Sequence, residues 1–406
     1  MNKESILLDK LAQIHTILSE TVKDEKEIGV LSGMSGIALF HFYYAKFLGE
    51  ESIADIGVDV ITLLFQKIND GYSFPTFCSG IAGAAWAIEL LQEEDFIDVN
   101  SDELLSELDD FLIHTIKEME TGDNYFDFLH GTLGIGFYFF KRYQKTQSIE
   151  LKNTYKEQLL YIINLLENAS QKEGNMIKWE SYLIRKDKLK GVNLGLSHGM
   201  PSIINFLSRL AAHDIFYDQV ESLIKNATNF VLHHQNKDTS NSSLFPSWVY
   251  EGMDTNANAR LAWCYGDLGI GITLWRAGKA TNDKELQQNA ITILKHSAIR
   301  RDRIECNVKD AGLCHGAFGI MHIYNYMYKE TKEELFKETA DFWIDEGMAM
   351  AHHENGYAGY MQWTGGENEG WRLESGLLEG IAGIGLSIIS YLAPFETKWD
   401  ECLLIS

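Results

Sequence analysis

The sequence predicts an all-α protein, an α/α toroid of seven helical hairpins in two concentric layers. Three observations predict it. A glycine-rich step recurs seven times, as GMSGIAL (33–39), GIAGAAW (80–86), GTLGIGF (131–137), GMPSIIN (199–205), GDLGIGI (266–272), GAFGIMH (316–322) and GIAGIGL (380–386). Each step opens an apolar stretch of helical length and is preceded by a more polar, amphipathic one. Only four prolines, Pro75, Pro201, Pro246 and Pro394, interrupt 406 residues, and proline is the strongest helix breaker.

The elements follow in order. MNKESILLDKLAQIHTILSE opens the chain with charged and polar residues every few positions, an amphipathic helix rather than a signal peptide. The first step leads into 35–48, SGIALFHFYYAKFL, apolar nearly all round as buried helices are. The polar partners of the later steps are SIADIGVDVITLLFQKI, ELLSELDDFLIHTIKEME, YKEQLLYIINLLENA, YDQVESLIKNATNFVLHH, ELQQNAITILKHSAI and KEELFKETADFWIDEGM. First glycines are spaced 47, 51, 68, 67, 50 and 64 residues apart, a period that suits one helical hairpin plus a loop. An open solenoid needs polar capping repeats. The last apolar helix, 383–392, is as apolar as the middle ones, so the repeats are expected to close on themselves as one domain, 1–406. The step positions, thirteen glycines and Ser202, have a plain structural purpose: they let the chain turn tightly and the inner helices start close to their neighbours.

Composition narrows the function. Hydrophobic residues make up 45% and aromatics 12% of the chain, enough for a large core. A net charge of −23 repels a phosphate backbone and disfavours docking on an anionic bilayer, so neither nucleic acid nor direct membrane insertion is expected. No apolar run approaches the ~18 residues of a membrane span. The five cysteines, Cys78, Cys264, Cys306, Cys314 and Cys402, are odd in number and form no C-x-x-C pair. Reduced thiols in a cytoplasm fit better than a disulfide framework.

Equivalent steps should lie on one rim, where residues just before them converge. Four long loops lead to that rim, 171–196, 235–262, 301–313 and 352–379. They and their borders carry Trp179, Trp248, Trp263, Trp363 and Trp371, either as a lid or peptide-binding surface or as plain insertions. Cys264 and Cys314 each lie two residues before a step glycine, and His315 one before it. Two thiolates and an imidazole suit Zn²⁺, and three protein ligands leave the fourth position that marks a catalytic zinc. Buried core cysteines are the competing reading. Other polar residues share the register: His198 precedes Gly199, His130 precedes Gly131, Asp127 lies four before Gly131, Arg260 lies four before Cys264, and Tyr265 follows it. A lone histidine is usually a satisfied structural residue; that reading holds best for His130 and for the pairs His233–His234 and His352–His353.

At these residues the sequence resembles the lanthionine synthetase C-like family, the cyclases of lanthipeptide biosynthesis. The matching motifs are AWCYG (262–266), CHG (314–316), LSHGMP (196–201), FDFLHG (126–131) and LLEGIAGIGL (377–386), and the seven steps extend the likeness over essentially the whole chain. The resemblance implies an α/α toroid and one zinc held by Cys264, Cys314 and His315. It implies addition of a peptide cysteine thiol across dehydroalanine or dehydrobutyrine, giving a thioether ring. His198 is then the candidate acid for the enolate Cα and a candidate base for the thiol proton. Asp127 would orient and protonate it, Arg260 would stabilise the enolate oxygen, and Tyr265 would be a second donor. The substrate would be a dehydrated precursor peptide supplied by a separate dehydratase, with an exporter as a further transient partner. The chain departs from the family in Asp267–Leu268 of GDLG, in Ser202 and in His130, positions that bear on substrate identity.

Two other classes stay in view. A protein prenyltransferase β-subunit also activates a thiol on zinc but needs a basic diphosphate pocket, for which 35 basic residues against 58 acidic ones show no cluster. A six-hairpin glycosidase would need paired catalytic carboxylates and no zinc. A non-catalytic zinc-, thiol- or peptide-binding scaffold of the same fold is the alternative function.

Overall fold

A computed structural model describes residues 2–119, 126–184, 189–238, 240–253, 258–366 and 369–406. Glu120, which ends one of the expected polar stretches, and parts of three long loops (185–188, 239, 254–257 and 367–368) lie outside the described residues. Helices run in chain order as α1 (Lys3–Thr21), α2 (Met34–Leu48), α3 (Glu51–Asn69), α4 (Ile81–Glu93), α5 (Ser101–Leu104), α6 (Ser106–Met119), α7 (Thr132–Lys145) and α8 (Ile149–Ala169). They continue as α9 (Met200–Ala211), α10 (Asp214–His233), α11 (Asp267–Ala280), α12 (Lys284–Ala298), α13 (Ala317–Thr331), α14 (Glu334–Ala349) and α15 (Ile381–Leu392).

The two expected helix types are both present. In α2 every residue from Met34 to Ala45 is buried, whereas α3 buries only Ile53, Gly57, Val60 and Leu64, one face of the helical period. At roughly 1.5–3 kcal/mol per fully buried large aliphatic or aromatic side chain, the all-round burial of such helices dominates stability. Three outer helices, α1, α8 and α12, start on side-chain caps: Asn2 accepts from the Ser5 amide at 2.8 Å, Ser148 from the Leu151 amide at 3.3 Å and Asp283 from the Leu286 amide at 2.9 Å. All seven apolar helices instead start on the first glycine of a step, namely Gly33, Gly80, Gly131, Gly199, Gly266, Gly316 and Gly380.

The chain divides into two compact units, Met1–Leu112 with Val308–Ser406, and Ile113–Asn307. In the first, α2 packs on α3, α13 on α14 and α15 on α1, while α15 also packs on α2 and α13, and α2 on α4. The sequence pairs each outer helix with the inner helix that follows it. The packing joins α2, α7, α9, α11 and α13 most tightly to the outer helix that comes after each of them, and the first and last helices of the chain, α1 and α15, pack as a pair. Four step loops of this unit are stitched in a row by backbone bonds. Leu313 and Cys314 amides both donate to the Leu378 carbonyl at 2.9 Å. The Leu378 amide donates to Leu31 at 2.8 Å, and the Leu31 and Ser32 amides donate to Cys78 at 3.0 and 2.9 Å. Cys314, Leu378, Leu31 and Cys78 each stand two residues before a step glycine, so the register read in sequence is a physical row.

In the second unit α7 packs on α8, α9 on α10 and α11 on α12, with α9 between α7 and α11. The long loops carry short antiparallel strands. These are β1 (Gln171–Glu173) with β2 (Met176–Lys178), and β3 (Ser181–Ile184), β4 (Leu189–Asn193) and β5 (Trp248–Val249) in a three-stranded sheet. The first unit holds β6 (Gln362–Thr364) with β7 (Gly370–Arg372). Trp179 and Trp263 are core residues, 6% and 1% exposed, so they line no surface.

The second glycine of a step is set by close packing. A Cβ on Gly269 would sit 2.6 Å from the Trp263 carbonyl oxygen and 2.8 Å from Leu196 Cβ. Because the nearer obstacle is backbone, Gly269→Ala is expected to destabilise the fold by about 2 kcal/mol, as overpacking does. Urea denaturation would show this as a lowered midpoint at an unchanged m-value.

Candidate metal and acid–base site

The candidate acid–base residues His198 and Asp127 come together within the second unit. FDFLHG ends in the turn before α7, and LSHGMP leads from the turn before α9 into its first residues. Between them His198 Nδ1 and Asp127 Oδ2 are 2.6 Å apart, with the histidine side chain 34% and the carboxylate 12% exposed. Asp127 is itself fixed, since its Oδ1 accepts the His130 amide at 2.8 Å. Burial pulls the His198 pKa down, but the hydrogen bond and charge of Asp127, with the charge of Cys264 behind them, outweigh it and leave it raised. His130, expected to be structural, stacks on His198 with ring centroids 5.8 Å apart. Burial holds His130 below the usual imidazole range despite the pull of Asp127. Two neighbouring imidazoles are thus pushed apart, one toward the charged and one toward the neutral form.

Cys264 lies in the turn before α11, 5% exposed. The turn depends on Gly266, whose φ of +84° lies in the left-handed region that favours glycine. Tyr265 accepts at its hydroxyl from Asn193 Nδ2, 3.3 Å away. Asp267, where the chain departs from the family, is fully buried and accepts from the Leu244 and Phe245 amides at 3.0 and 3.1 Å and from Ser243 Oγ at 3.2 Å. It fastens the long 235–262 loop onto the first turn of α11. Arg260 is half-buried; among the described residues its side chain makes no hydrogen bond or ion pair, so it is not drawn to the His198–Asp127 pair.

In the first unit Cys314 and His315 precede α13. His315 Nε2 lies 3.2 Å from Asp310 Oδ2 and 3.4 Å from the Trp363 carbonyl oxygen. Asp310, 3% exposed, is locked in turn: Oδ1 accepts the Gly312 amide at 3.1 Å and Oδ2 the Trp363 amide at 2.9 Å. A carboxylate on one ring nitrogen is the usual way to orient an imidazole whose other nitrogen binds a metal.

Among the described residues, Cys264, Cys314 and His315 each offer one ligand atom that could serve a metal ion. The donor set fits zinc: two sulfurs and one imidazole nitrogen, none of the cysteines in a disulfide, with a fourth position left for a non-protein ligand. Asp310 was not singled out in the sequence, and His130 was read there as structural. The signal for Asp310 is its position six residues before Gly316, where Arg260 stands before Gly266, Asn193 before Gly199 and Glu374 before Gly380. Asn193, Asp310 and Glu374 all accept with their side chains from the amide two residues on, at 2.7, 3.1 and 2.9 Å. Asp310→Ala is expected to weaken zinc binding 10- to 100-fold, measured by chelator competition on the folded protein.

A protein named glutathione S-transferase LANCL1, from Danio rerio, is 24% identical over 357 residues, which are 85% of this chain and 81% of that protein. Nisin biosynthesis protein NisC of Lactococcus lactis subsp. lactis is 24% identical over 351 residues, 80% of this chain and 76% of that one. The solved structure of a nisin cyclase superposes with a TM-score of 0.76 at 20% identity, covering 97% of this chain and 96% of its own. The fold is therefore the α/α toroid of that structure. The family described as lanthionine synthetase C-like protein matches residues 24–404, and the chain belongs to it.

Proposed function

We propose that this chain is a zinc-dependent lanthipeptide cyclase, acting as a single domain over residues 1–406. At family level the similarity to nisin cyclase supports a cyclase. One observation carries the finer reading: the chain has both a His198–Asp127 pair suited to acid–base work and candidate metal ligands that number only three, Cys264, Cys314 and His315. A structural zinc takes four protein ligands and needs no acid, so the combination favours catalysis over a scaffold.

Zinc held by Cys264, Cys314 and His315 would supply a site at which a substrate cysteine, with a solution pKa near 8.5, is a thiolate at neutral pH. The chain's own residues would do the rest. The thiolate sulfur bonds to the β-carbon of dehydroalanine or dehydrobutyrine, and the alkene π pair moves onto the carbonyl as an enolate. His198, held protonated by Asp127, delivers a proton to Cα. The proton lost by the thiol returns the imidazole to its charged form, so the reaction is an isomerisation of the peptide. Arg260 and Tyr265 are the proposed donors to the enolate oxygen. The substrate would be a dehydrated precursor peptide from a separate dehydratase, with an exporter as a further partner, in the cytoplasm. None of the described helices is long and apolar enough to cross a membrane.

The relative named glutathione S-transferase favours a second reading, in which the thiol added is that of glutathione. One experiment separates the readings. The zinc-loaded protein is incubated with a dehydrated peptide bearing a cysteine, with and without glutathione, and the products are alkylated and weighed. Cyclisation leaves the peptide mass unchanged and removes one alkylatable thiol. Glutathione transfer raises the mass by one glutathione. If neither product forms, both catalytic readings fail and a scaffold remains.

A further inference from the structure

We propose that β7 (Gly370–Arg372) is a docking strand to which an extended segment of the substrate adds as a third strand, with an apolar side chain seated on Trp371 and Leu373. The inference rests on the peptide-substrate reading above.

It starts from register. β6 and β7 pair antiparallel with Gln362 opposite Arg372, Trp363 opposite Trp371 and Thr364 opposite Gly370. The Trp363 amide donates to Asp310 Oδ2 and its carbonyl faces His315 Nε2, both on the side away from β7. Trp363 and Trp371 are therefore a non-hydrogen-bonded pair, the type whose side chains come closest. Their rings accordingly meet edge-to-face at 5.0 Å. By the same alternation, the amide and carbonyl of Trp371 point outward from the hairpin. Among the described residues no strand pairs with β7 on that side.

Natural proteins blunt such edges with lysine, proline, bulges or a covering element. Here the edge carries large apolar side chains in the open: Trp371 is 39% and Leu373 46% exposed. The hairpin is held by side-chain contacts on several sides. His353 packs on Trp371 with centroids 4.5 Å apart, Lys309 sits over the Trp363 ring at 4.4 Å, and Gln362 donates to Glu379 of the last step. The hairpin's other edge is bonded directly to a proposed metal ligand, His315, and to the carboxylate that orients it. A strand added to β7 would thus lie two strand spacings, about 10 Å, from the Trp363 backbone. At ~3.3 Å per extended residue, the seated side chain would be roughly four or five residues from the reacting cysteine. Main-chain bonds give such docking its affinity and the side-chain seat its specificity.

The test uses the zinc-loaded protein and peptides whose reacting cysteine is replaced by serine, with affinity read by fluorescence anisotropy. In one series each successive amide of the segment four to five residues from that serine is N-methylated. The expected result is alternation: about tenfold weaker binding when an amide facing β7 is methylated, and little change at its neighbours. In a second series the seated residue is Leu or Gly; wild type should prefer Leu about tenfold, and Trp371→Ala should erase that preference. Binding with no alternation and no Leu preference would overturn the docking strand, and so would absence of binding. Cyclisation of the cysteine-bearing peptide is followed in parallel, so loss of the docking strand with turnover intact leaves the cyclase reading standing.

Discussion

Cys314→Ala is expected to purify folded, with zinc lost and cyclisation abolished. Wild-type protein prepared without added metal should carry about one zinc per chain, the stoichiometry of a single three-ligand site. The variant should carry close to none, because two remaining ligands hold zinc poorly. The fold should survive, since the Cys314 contribution to the row of step loops is its backbone amide, bonded to Leu378 at 2.9 Å, and alanine keeps it. Elemental analysis of both proteins, beside circular dichroism, decides the matter. Zinc retained at wild-type level in the variant would remove Cys314 from the metal set. A zinc-free, well-folded wild type would sink the proposed mechanism and leave the toroid as a scaffold.

His198→Asn should retain zinc and lose cyclisation by about 10²- to 10⁴-fold, the range for removing a positioned general acid. Full activity in this variant would exclude His198 from the chemistry. The role of Asp127 can be read separately from pH. Burial alone would lower the His198 pKa; the pairing with Asp127 is the main reason it is raised. A raised histidine pKa keeps the imidazolium present to higher pH, and the stability gained by the pairing is full below the unfolded value and lost as pH rises through the folded one. In Asp127→Asn the carboxylate charge beside His198 is gone, so the alkaline limb of kcat/KM should move to lower pH, with zinc content unchanged. An unmoved limb would show that another group sets it.

The sequence singles out Cys264, Cys314 and His315 as candidates by their register against the glycine steps, and the row Cys314, Leu378, Leu31, Cys78 shows why register carries information: equivalent residues present equivalent backbone groups to the next loop. The same register picks out His198 and Asp127, whose side chains meet. Arg260 was found by register too, but its side chain is not drawn to the pair. His130 was underrated, because a histidine one residue before a step has no local mark that separates a stacked partner from a filler. Asp310 was overlooked, although its position six before Gly316 matches that of Asn193 and Glu374 before their own steps.

The sequence by itself determined the seven steps, the two helix types and the chemistry of the donors. These depend on local properties: period, glycine conformational freedom, and the identity of each side chain. Tertiary structure alone decided which ring nitrogen of His315 meets Asp310, that α1 completes a pair with α15, and that the long loops carry three small sheets. It also decided that β6 is anchored through Trp363 while β7 keeps an open edge. Each of these is a contact between residues far apart in the chain, and its geometry comes from how whole helices pack, which no local propensity encodes.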